Sequence, residues 1–424
     1  MLSRNRRAFI LIAFAILTGF TTAPTQAQTF SVIYSFSGND GAHPVAGVIV
    51  DKAGNVYGTT RDGGMGSGTV FKLAPQTGGG WTETVLYSFG EAKNDGLNPT
   101  GAVIFDKLGN LYGTTENGGA YGLGTVFRLA PSGGTWKETI LHSFGEGVDG
   151  ANPLNGLTYD GNRTVYGTTY YGGTNQSCTY LGVKTSCGTA FEMSESTNGK
   201  LSYAVIHNFG ASAEDGFYPW STLTLDSKGN LYGQCVSGGE YLKGLLYELS
   251  PGTGGVWNEK YLHPWGNKDD GTYIYGGMAF DSSGNMYGVS TGGGAHGGLG
   301  SVFEFTVSGN GWLEHNLHGF GTGFDGQFPE GDLLVDAAGN LYGVTHNGGP
   351  YGYGMIYEVS PVNGSWIESV LHSFTGAADG GNSSATLVED SSGKIYGTAT
   401  YGGNSQACGG VALSGCGVVF TITP

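Results

Sequence analysis

Aromatic and polar side chains that could bind a ligand flank a Gly-Gly pair that recurs along this chain. Flat rings can stack on sugars, and polar groups can hydrogen-bond sugar hydroxyls, so these residue types together predict a carbohydrate-binding surface. The alternative interpretation is that Tyr residues in Gly-rich loops only pack neighbouring repeat units together. The candidate binding residues are Arg61, Glu116, Tyr121, Tyr170, Tyr171, Tyr241, His296, His346, Tyr351 and Tyr401.

An Asp-Gly pair recurs with the same period and offers a second kind of chemistry. Carboxylates suit a cation or sugar hydroxyls, but an Asp in a turn can equally accept hydrogen bonds from the backbone of that turn. An Asp at the same place in every unit favours the structural role. These turn Asp residues are Asp40, Asp95, Asp149, Asp215, Asp270, Asp325 and Asp379.

Motifs for catalysis are nearly absent from the sequence. It contains no His-Glu-x-x-His metal motif and no phosphate-binding loop. Glu116 and Arg61 could still face a central channel beside His346, which leaves a paired-carboxylate mechanism open. We therefore leave enzyme activity undecided, and we expect neither a metal nor a cofactor.

The chain has five Cys residues, and four of them form two closely spaced pairs. Cys178 and Cys187 share one loop insertion, and Cys408 and Cys416 share another. In an exported protein this spacing predicts two local disulfides. Zinc binding is the rival interpretation, but two thiols per loop without a nearby His make a poor set of four ligands. Cys235 replaces a Thr of the repeat and is interpreted as a small buried residue with a free thiol.

The elements that must position these residues are short strands. Tyr-Gly, followed six residues after the Tyr by Gly-Gly, occurs seven times at spacings of 55, 54, 66, 55, 55 and 54 residues. Each unit contains four short apolar runs, which we name a, b, c and d, bounded by Gly, Pro, Asn or Asp. Four strands in about 55 residues are typical of one β-propeller blade. The sequence therefore predicts an all-β, seven-bladed propeller with four antiparallel strands per blade.

The two ends of the repeat region predict how the ring closes. A lone d strand, residues 29–36, precedes the first a strand, and the last unit ends at its c strand, residues 417–422. Pairing of these two strands would complete the last blade and remove the exposed edges of an open array. We expect the propeller to span residues 28–424. In propellers generally, the d-to-a and b-to-c loops share the face around the channel mouth, so we expect the candidate residues there.

The repeat resembles a known family. Asn-Leu-Tyr-Gly-Thr-Thr, then Gly-Gly, then Gly-Thr-Val-Phe, then Leu-His/Tyr-Ser-Phe is similar to the GloVer tandem repeat of bacterial exported proteins, which are described as choice-of-anchor proteins. The resemblance covers residues 29–424 and implies no established activity. It departs from the family in showing no C-terminal anchor, which favours a secreted or periplasmic protein. A looser likeness to kelch repeats concerns architecture alone.

The N-terminus and the charge restrict location and partners. Residues 1–27 combine a basic start, a short apolar run and a small-residue cleavage site, as in a signal peptide. Without them, 15 basic residues face 34 acidic ones, a net charge of −19 with His neutral. Such a chain repels nucleic acid and anionic lipid, and we expect no membrane span after signal removal.

Three functional hypotheses follow from these observations. The first is a monomeric binding module for extracellular polysaccharide or a cell-surface protein. The second is a carbohydrate-active lyase or hydrolase with its site at the channel mouth, and the third is a structural surface or matrix protein.

Overall fold

A computed structural model describes most of the chain beyond the predicted signal peptide. The predicted signal peptide and candidate His296 lie outside the described residues. None of the helical segments in the described residues is long and apolar enough to cross a membrane. The described residues are 28–145, 148–180, 183–212, 214–267, 270–294, 298–309, 311–321, 323–405, 407–408 and 414–424.

Short β-strands account for nearly all regular structure in these ranges. In the first half they are β1 (Thr29–Ser35), β2 (Ile49–Val50), β3 (Val56–Thr60), β4 (Thr69–Pro75), β5 (Trp81–Ser88), β6 (Gly96–Leu97), β7 (Ile104–Phe105), β8 (Leu111–Thr115), β9 (Asn117–Gly118), β10 (Thr125–Ser132), β11 (Thr135–Ser143), β12 (Gly150–Ala151), β13 (Thr158–Tyr159), β14 (Thr164–Thr169), β15 (Tyr171–Gly172), β16 (Cys178–Tyr180), β17 (Val183–Thr185), β18 (Thr189–Glu195) and β19 (Leu201–Asn208). In the second half they are β20 (Gly216–Pro219), β21 (Thr224–Leu225), β22 (Leu231–Gly238), β23 (Leu245–Pro251), β24 (Trp257–Pro264), β25 (Gly271–Thr272), β26 (Ala279–Phe280), β27 (Met286–Ser290), β28 (Gly292–Gly293), β29 (Ser301–Ser308), β30 (Gly311–Gly319), β31 (Gly326–Val335), β32 (Leu341–Gly348), β33 (Met355–Val362), β34 (Ser365–Ser373), β35 (Val388–Glu389), β36 (Ile395–Ala399) and β37 (Val418–Thr423), with a 3₁₀ turn at Thr253–Gly255.

Across the described residues, these strands form the predicted seven-bladed propeller of antiparallel sheets. The first blade has the order β2-β3-β4-β5, and the same a-b-c-d order recurs in each later blade; β20 adds a fifth strand to the fourth. The last blade has the order β35-β36-β37-β1, with Thr29 opposite Thr423 and Ser35 opposite Val418. The prediction of closure by an N-terminal d strand against a C-terminal c strand is confirmed.

The core lies between neighbouring blades and explains the Tyr-Gly motif. In the first blade, a Cβ added to Gly58 would lie 2.7 Å from Cζ of Phe71 on the adjacent strand, so the buried ring occupies the side-chain position that Gly leaves open. The Tyr57 hydroxyl donates to the Asp51 carboxylate of the a–b turn at 3.1 Å, and Asp51 also accepts the Asn55 N–H at 2.9 Å. The recurrent residues therefore belong to the scaffold.

The Gly-Gly pair fastens two loops together. Gly118 has φ +83°, and a Cβ there would lie 2.3 Å from the Asp95 carbonyl oxygen, a position that only Gly fits easily. The Gly119 N–H donates to the same oxygen at 2.8 Å, and β6 pairs with β9. Because the d-to-a turn and the b-to-c loop are joined in this way, side chains from both are held at one face of the ring.

Candidate functional site

A cavity of about 520 Å³ opens where the d-to-a and b-to-c loops converge. Residues from every blade line it, so it lies on the axis of the ring at one mouth of the central channel. Of the sequence-predicted candidates in the described residues, Arg61, Glu116, Tyr170 and Tyr171 line this cavity. His346 lies beside it and contacts two residues of the wall.

The most variable wall position falls five residues after each turn Asp. In each blade this side chain lines the cavity, and it ranges from aliphatic to aromatic, hydroxyl and carboxylate. Reasoning from the Gly-Gly loops missed this position, although its variation from unit to unit is visible in the sequence. The seven residues are Val45, Thr100, Leu154, Trp220, Tyr275, Glu330 and Ser384.

Aromatic rings form one side of the cavity. Tyr170 stacks on Tyr218 with 4.9 Å between ring centroids and meets Trp220 edge-on at 5.2 Å. Trp220 in turn meets Tyr275 at 5.1 Å. Tyr170 and Tyr218 are buried, whereas Trp220 and Tyr275 are only partly buried and line the cavity. This side therefore offers flat, supported apolar surfaces.

Arg61 belongs to the first blade and Glu116 to the second, whereas the aromatic side comes from the third, fourth and fifth blades. Arg61 Nη2 lies 3.6 Å from Glu116 Oε2, and the Arg61 side chain is 47% exposed. The side-chain amide of Asn98 donates to the Arg61 carbonyl at 3.2 Å, and that of Asn152 donates to the Glu116 carbonyl at 3.1 Å. Each Asn comes from the next blade, so neighbouring blades fix the two backbone positions.

One residue with a left-handed backbone conformation recurs in the d-to-a loop before each blade. Three residues after each turn Asp, a non-glycine residue has φ between 53° and 60°, a strained conformation for Tyr, Phe or His. The Asn98 carbonyl accepts the Glu116 N–H at 3.0 Å, while the Asn98 N–H donates to the Ser67 carbonyl of the preceding blade at 2.8 Å. These residues are His43, Asn98, Asn152, Tyr218, Tyr273, Phe328 and Asn382.

Carboxyl and imidazole groups of the sixth blade complete the polar side. His346 Nδ1 lies 3.1 Å from the Ser384 hydroxyl and 3.7 Å from Glu330 Oε2. Asp332 also lines the cavity, and its carboxylate accepts the Gly277 N–H. Protein surrounds most of this carboxyl, and burial raises its pKa above the ordinary Asp value, although the Gly277 hydrogen bond acts against the rise.

The turn Asp residues face their own turns. Asp40 accepts the Ser37 N–H and Asp215 accepts the Ala211 N–H, both at 2.7 Å, and the equivalent bond recurs in every blade. None of these carboxylates is among the described residues that line the cavity. The d-strand His residues contact these carboxylates: His142, His207, His263, His318 and His372.

The remaining candidates lie away from the cavity. Tyr121, Tyr241 and Tyr351 occupy equivalent places in the second, fourth and sixth blades and are 69%, 38% and 59% exposed. The Tyr401 ring lies 5.3 Å from that of His43 in the adjoining blade. The structure does not bring these Tyr residues into the site that Arg61 and Glu116 share.

Both predicted disulfides are present. Cys178 is bonded to Cys187 and Cys408 to Cys416, while Cys235 is a buried free thiol. Burial raises the pKa of the Cys235 thiol, with further contributions from the nearby Asp215 and Glu259 carboxylates. A thiol held in its protonated form is a poor nucleophile.

Comparisons with known proteins identify the repeat and the fold. The sequence model of the Gloeobacter/Verrucomicrobia repeat matches residues 18–180 and 226–424, and no curated protein matches the chain. Two crystal structures of the extracellular domain of BT4673 from B. thetaiotaomicron, described as a hybrid two component and a one component system, are similar with TM-scores of 0.56 and 0.54 at 12% and 11% identity. Both cover 93% of this chain, which spans 40% and 39% of those chains. At this identity the likeness shows the fold alone.

Proposed function

The chain belongs to the Gloeobacter/Verrucomicrobia repeat family, and from the propeller that this repeat builds we propose an exported binding module. Its central cavity would take an uncharged, polyhydroxylated ligand, such as the end of a glycan chain. The observation that carries the proposal is the two-sided wall, in which Trp220 and Tyr275 line the same cavity as Arg61, Glu116 and Glu330. Stacking surfaces and hydrogen-bonding groups that converge on one cavity suit a sugar.

The size and charge of the cavity narrow the class of ligand. Its volume of about 520 Å³ is within the usual range of small-molecule sites, roughly 300–1,000 Å³. Arg61 is the only Lys or Arg among the described wall residues, and it is already paired with Glu116. Glu330 and Asp332 add further acidic groups. Because the wall is net acidic, uronic acids, sialic acids and phosphates are disfavoured relative to neutral sugars.

Export is part of the same proposal. Two disulfides persist most readily in an oxidising compartment, which supports a secreted or periplasmic location and the signal peptide predicted at residues 1–27. The extracellular domain of BT4673 shares the fold. The partners we propose are therefore extracellular polysaccharide or glycans of a cell-surface protein, bound by a monomer.

A glycan array followed by calorimetry tests the binding proposal. We expect the purified chain to bind neutral glycans and to show no preference for acidic ones. Trp220→Ala should weaken binding roughly tenfold, because a stacked ring contributes about 0.5–1.5 kcal/mol beyond its buried area. Tyr121→Ala, which removes an exposed ring outside the cavity, is the matched control. Silence across the array would refute the proposal and favour a structural surface or matrix protein.

One observation favours a second candidate, a glycoside hydrolase or polysaccharide lyase. Burial raises the pKa of Asp332 above the ordinary Asp value at the same wall as Glu330, and a raised pKa is a property of the general acid in a pair of catalytic carboxyl groups. Release of reducing ends or unsaturated products from a polysaccharide panel would support this activity. It should then be abolished by Asp332→Asn, whereas uniform absence of products counts against it.

A further inference from the structure

The interface between the third and fourth blades holds its turn Asp differently from most other interfaces. In three interfaces, the d-strand His Nε2 lies within hydrogen-bonding distance of the carboxylate. At the third–fourth interface, His207 Nε2 lies 3.9 Å from Asp215 Oδ1, too far for a hydrogen bond. The three direct distances are 3.0 Å for His142–Asp149, 3.0 Å for His263–Asp270 and 3.1 Å for His372–Asp379.

Three polar atoms at this interface are buried without hydrogen bonds. They are His207 Nε2, Asp215 Oδ1 and Glu259 Oε1, and each is buried in the structure without a hydrogen-bond partner. One ligand atom from each residue lies within 4.8 Å of the other two. The Asp215 side chain is only 1% exposed. Leaving a buried carboxylate oxygen unpaired costs free energy, so either a bound cation or a proton shared by the Asp215 and Glu259 carboxyl groups must offset this cost.

One of the two distances from His207 matches the spacing of ligand atoms around a cation, and the other is slightly longer. A tetrahedral zinc ion with bonds of about 2.0–2.2 Å places its ligand atoms roughly 3.3–3.6 Å apart. His207 Nε2 lies 3.5 Å from Glu259 Oε2 and 3.9 Å from Asp215 Oδ1. At the fifth–sixth interface, His318 and Asp325 are also 3.6 Å apart, but both Asp325 oxygens already accept backbone N–H groups.

We propose that His207, Asp215 and Glu259 bind one divalent cation of the Zn²⁺ type between the third and fourth blades. One imidazole and two carboxylates form a ligand set that zinc accepts, with a fourth position for water. His207 lies on β19, Glu259 on β24 and Asp215 on the turn between the blades. The ion links the outer strands of two blades, so its primary role is to stabilise their interface.

The Cys178–Cys187 disulfide packs against the loop that carries Asp215. A Cβ added to Gly210 would lie 2.4 Å from Cys187 Sγ and 2.8 Å from Cys178 Sγ, so the disulfide packs directly on the backbone there. The Gly210 N–H donates to the Gly216 carbonyl at 3.0 Å. The turn is therefore braced on both sides of the ligand, which lowers the cost of arranging it for an ion.

Zinc binding to the full, oxidised chain without a His tag tests this inference. After chelation and dialysis, ZnCl₂ is titrated by calorimetry, and bound metal is counted by mass spectrometry. We expect one zinc per chain and a higher melting temperature with zinc. Glu259→Gln should lower the affinity at least about tenfold, since even outer-shell partners of zinc ligands contribute about 10–100-fold. Should Glu259→Gln fail to fold, His207→Gln replaces it.

The matched control is Glu314→Gln, because Glu314 packs with the directly bonded His263–Asp270 pair. It should leave the zinc affinity unchanged. The inference is overturned if no zinc is retained, if Ca²⁺ binds as tightly, or if Glu314→Gln weakens binding as much as Glu259→Gln. A rise in stability of Glu259→Gln that is independent of zinc would also overturn it, because the two carboxylates would then share a proton rather than a metal.

Discussion

Replacement of Glu138 by Gln should stabilise the propeller at pH 8 and have little effect at pH 4. Glu138 lies on β11, and its Oε1 is buried without a hydrogen-bond partner. Burial, with the charge of Asp95 as a second cause, raises the Glu138 pKa from 4.5 to about 7, while Tyr87 acts in the opposite direction. The carboxyl therefore keeps its proton in the folded state over an interval in which the unfolded chain loses it.

The sign and the size of the effect on stability follow from the difference between the pKa of Glu138 in the folded and in the unfolded state. Below pH 4.5 Glu138 is protonated in both the folded and the unfolded state, so the free energy of unfolding keeps its full value. As the pH rises from there through 7, the folded state must release the proton as well, and the free energy of unfolding falls. A shift from 4.5 to about 7 corresponds to an upper limit of about 3.4 kcal/mol. Because the side chain is partly exposed, we expect about 1–2 kcal/mol.

Denaturant unfolding at pH 4, 6 and 8 measures the effect. Wild-type stability should fall between pH 5 and 8, and Glu138→Gln should reduce that fall, because its amide resembles the protonated carboxyl and does not titrate. Glu240→Gln, at an exposed position, is the control. Equal stabilities of wild type and Glu138→Gln at all three pH values would refute the reasoning, as would a loss of stability that is the same at each pH.

Two further predictions concern the scaffold. Gly58→Ala should destabilise the fold by about 1–3 kcal/mol, because the new Cβ would meet the Phe71 ring at 2.7 Å; Gly311→Ala, where the nearest atom is 3.9 Å away, should have little effect in the same thermal unfolding assay. Removing the Cys408–Cys416 disulfide by double Ala substitution should cost about 2.5 kcal/mol for a closed loop of 8 residues. An unchanged melting temperature in the double variant would contradict the estimate.

The fold could be predicted from the sequence because each blade repeats the same local solutions. Gly58 is needed where Phe71 packs, and Gly118 is needed where the Asp95 carbonyl approaches the backbone. Both requirements recur with every unit and are therefore visible as a period. The displaced d strand at residues 29–36 likewise made ring closure predictable, since a blade without its fourth strand would leave an exposed edge.

The site could be predicted only in part. Arg61, Glu116, Tyr170 and Tyr171 follow b strands whose positions the repeat fixes, and they line the cavity. Trp220 was not foreseen as a wall residue. It lies two residues after left-handed Tyr218, and a left-handed turn at a residue other than Gly or Asn has no clear sequence signature.

The contact between His207 and Glu259 could not be predicted from the sequence either. Each residue lies on the d strand of a different blade. Their approach depends on how the two sheets pack, which local periodicity does not report.

The pairing of β1 with β37 also determines the order in which the protein can finish folding. Among the described strands β1 comes first in the chain and its partner β37 last, with Thr29 opposite Thr423, so this pair forms only once β37 is available. Until then β1 has a free hydrogen-bonding edge, which invites pairing with other chains. The earlier blades can form without this pair, but the ring stays open until β37 pairs with β1. A chain that ends before β37 therefore keeps the exposed edge of β1, and we expect it to aggregate.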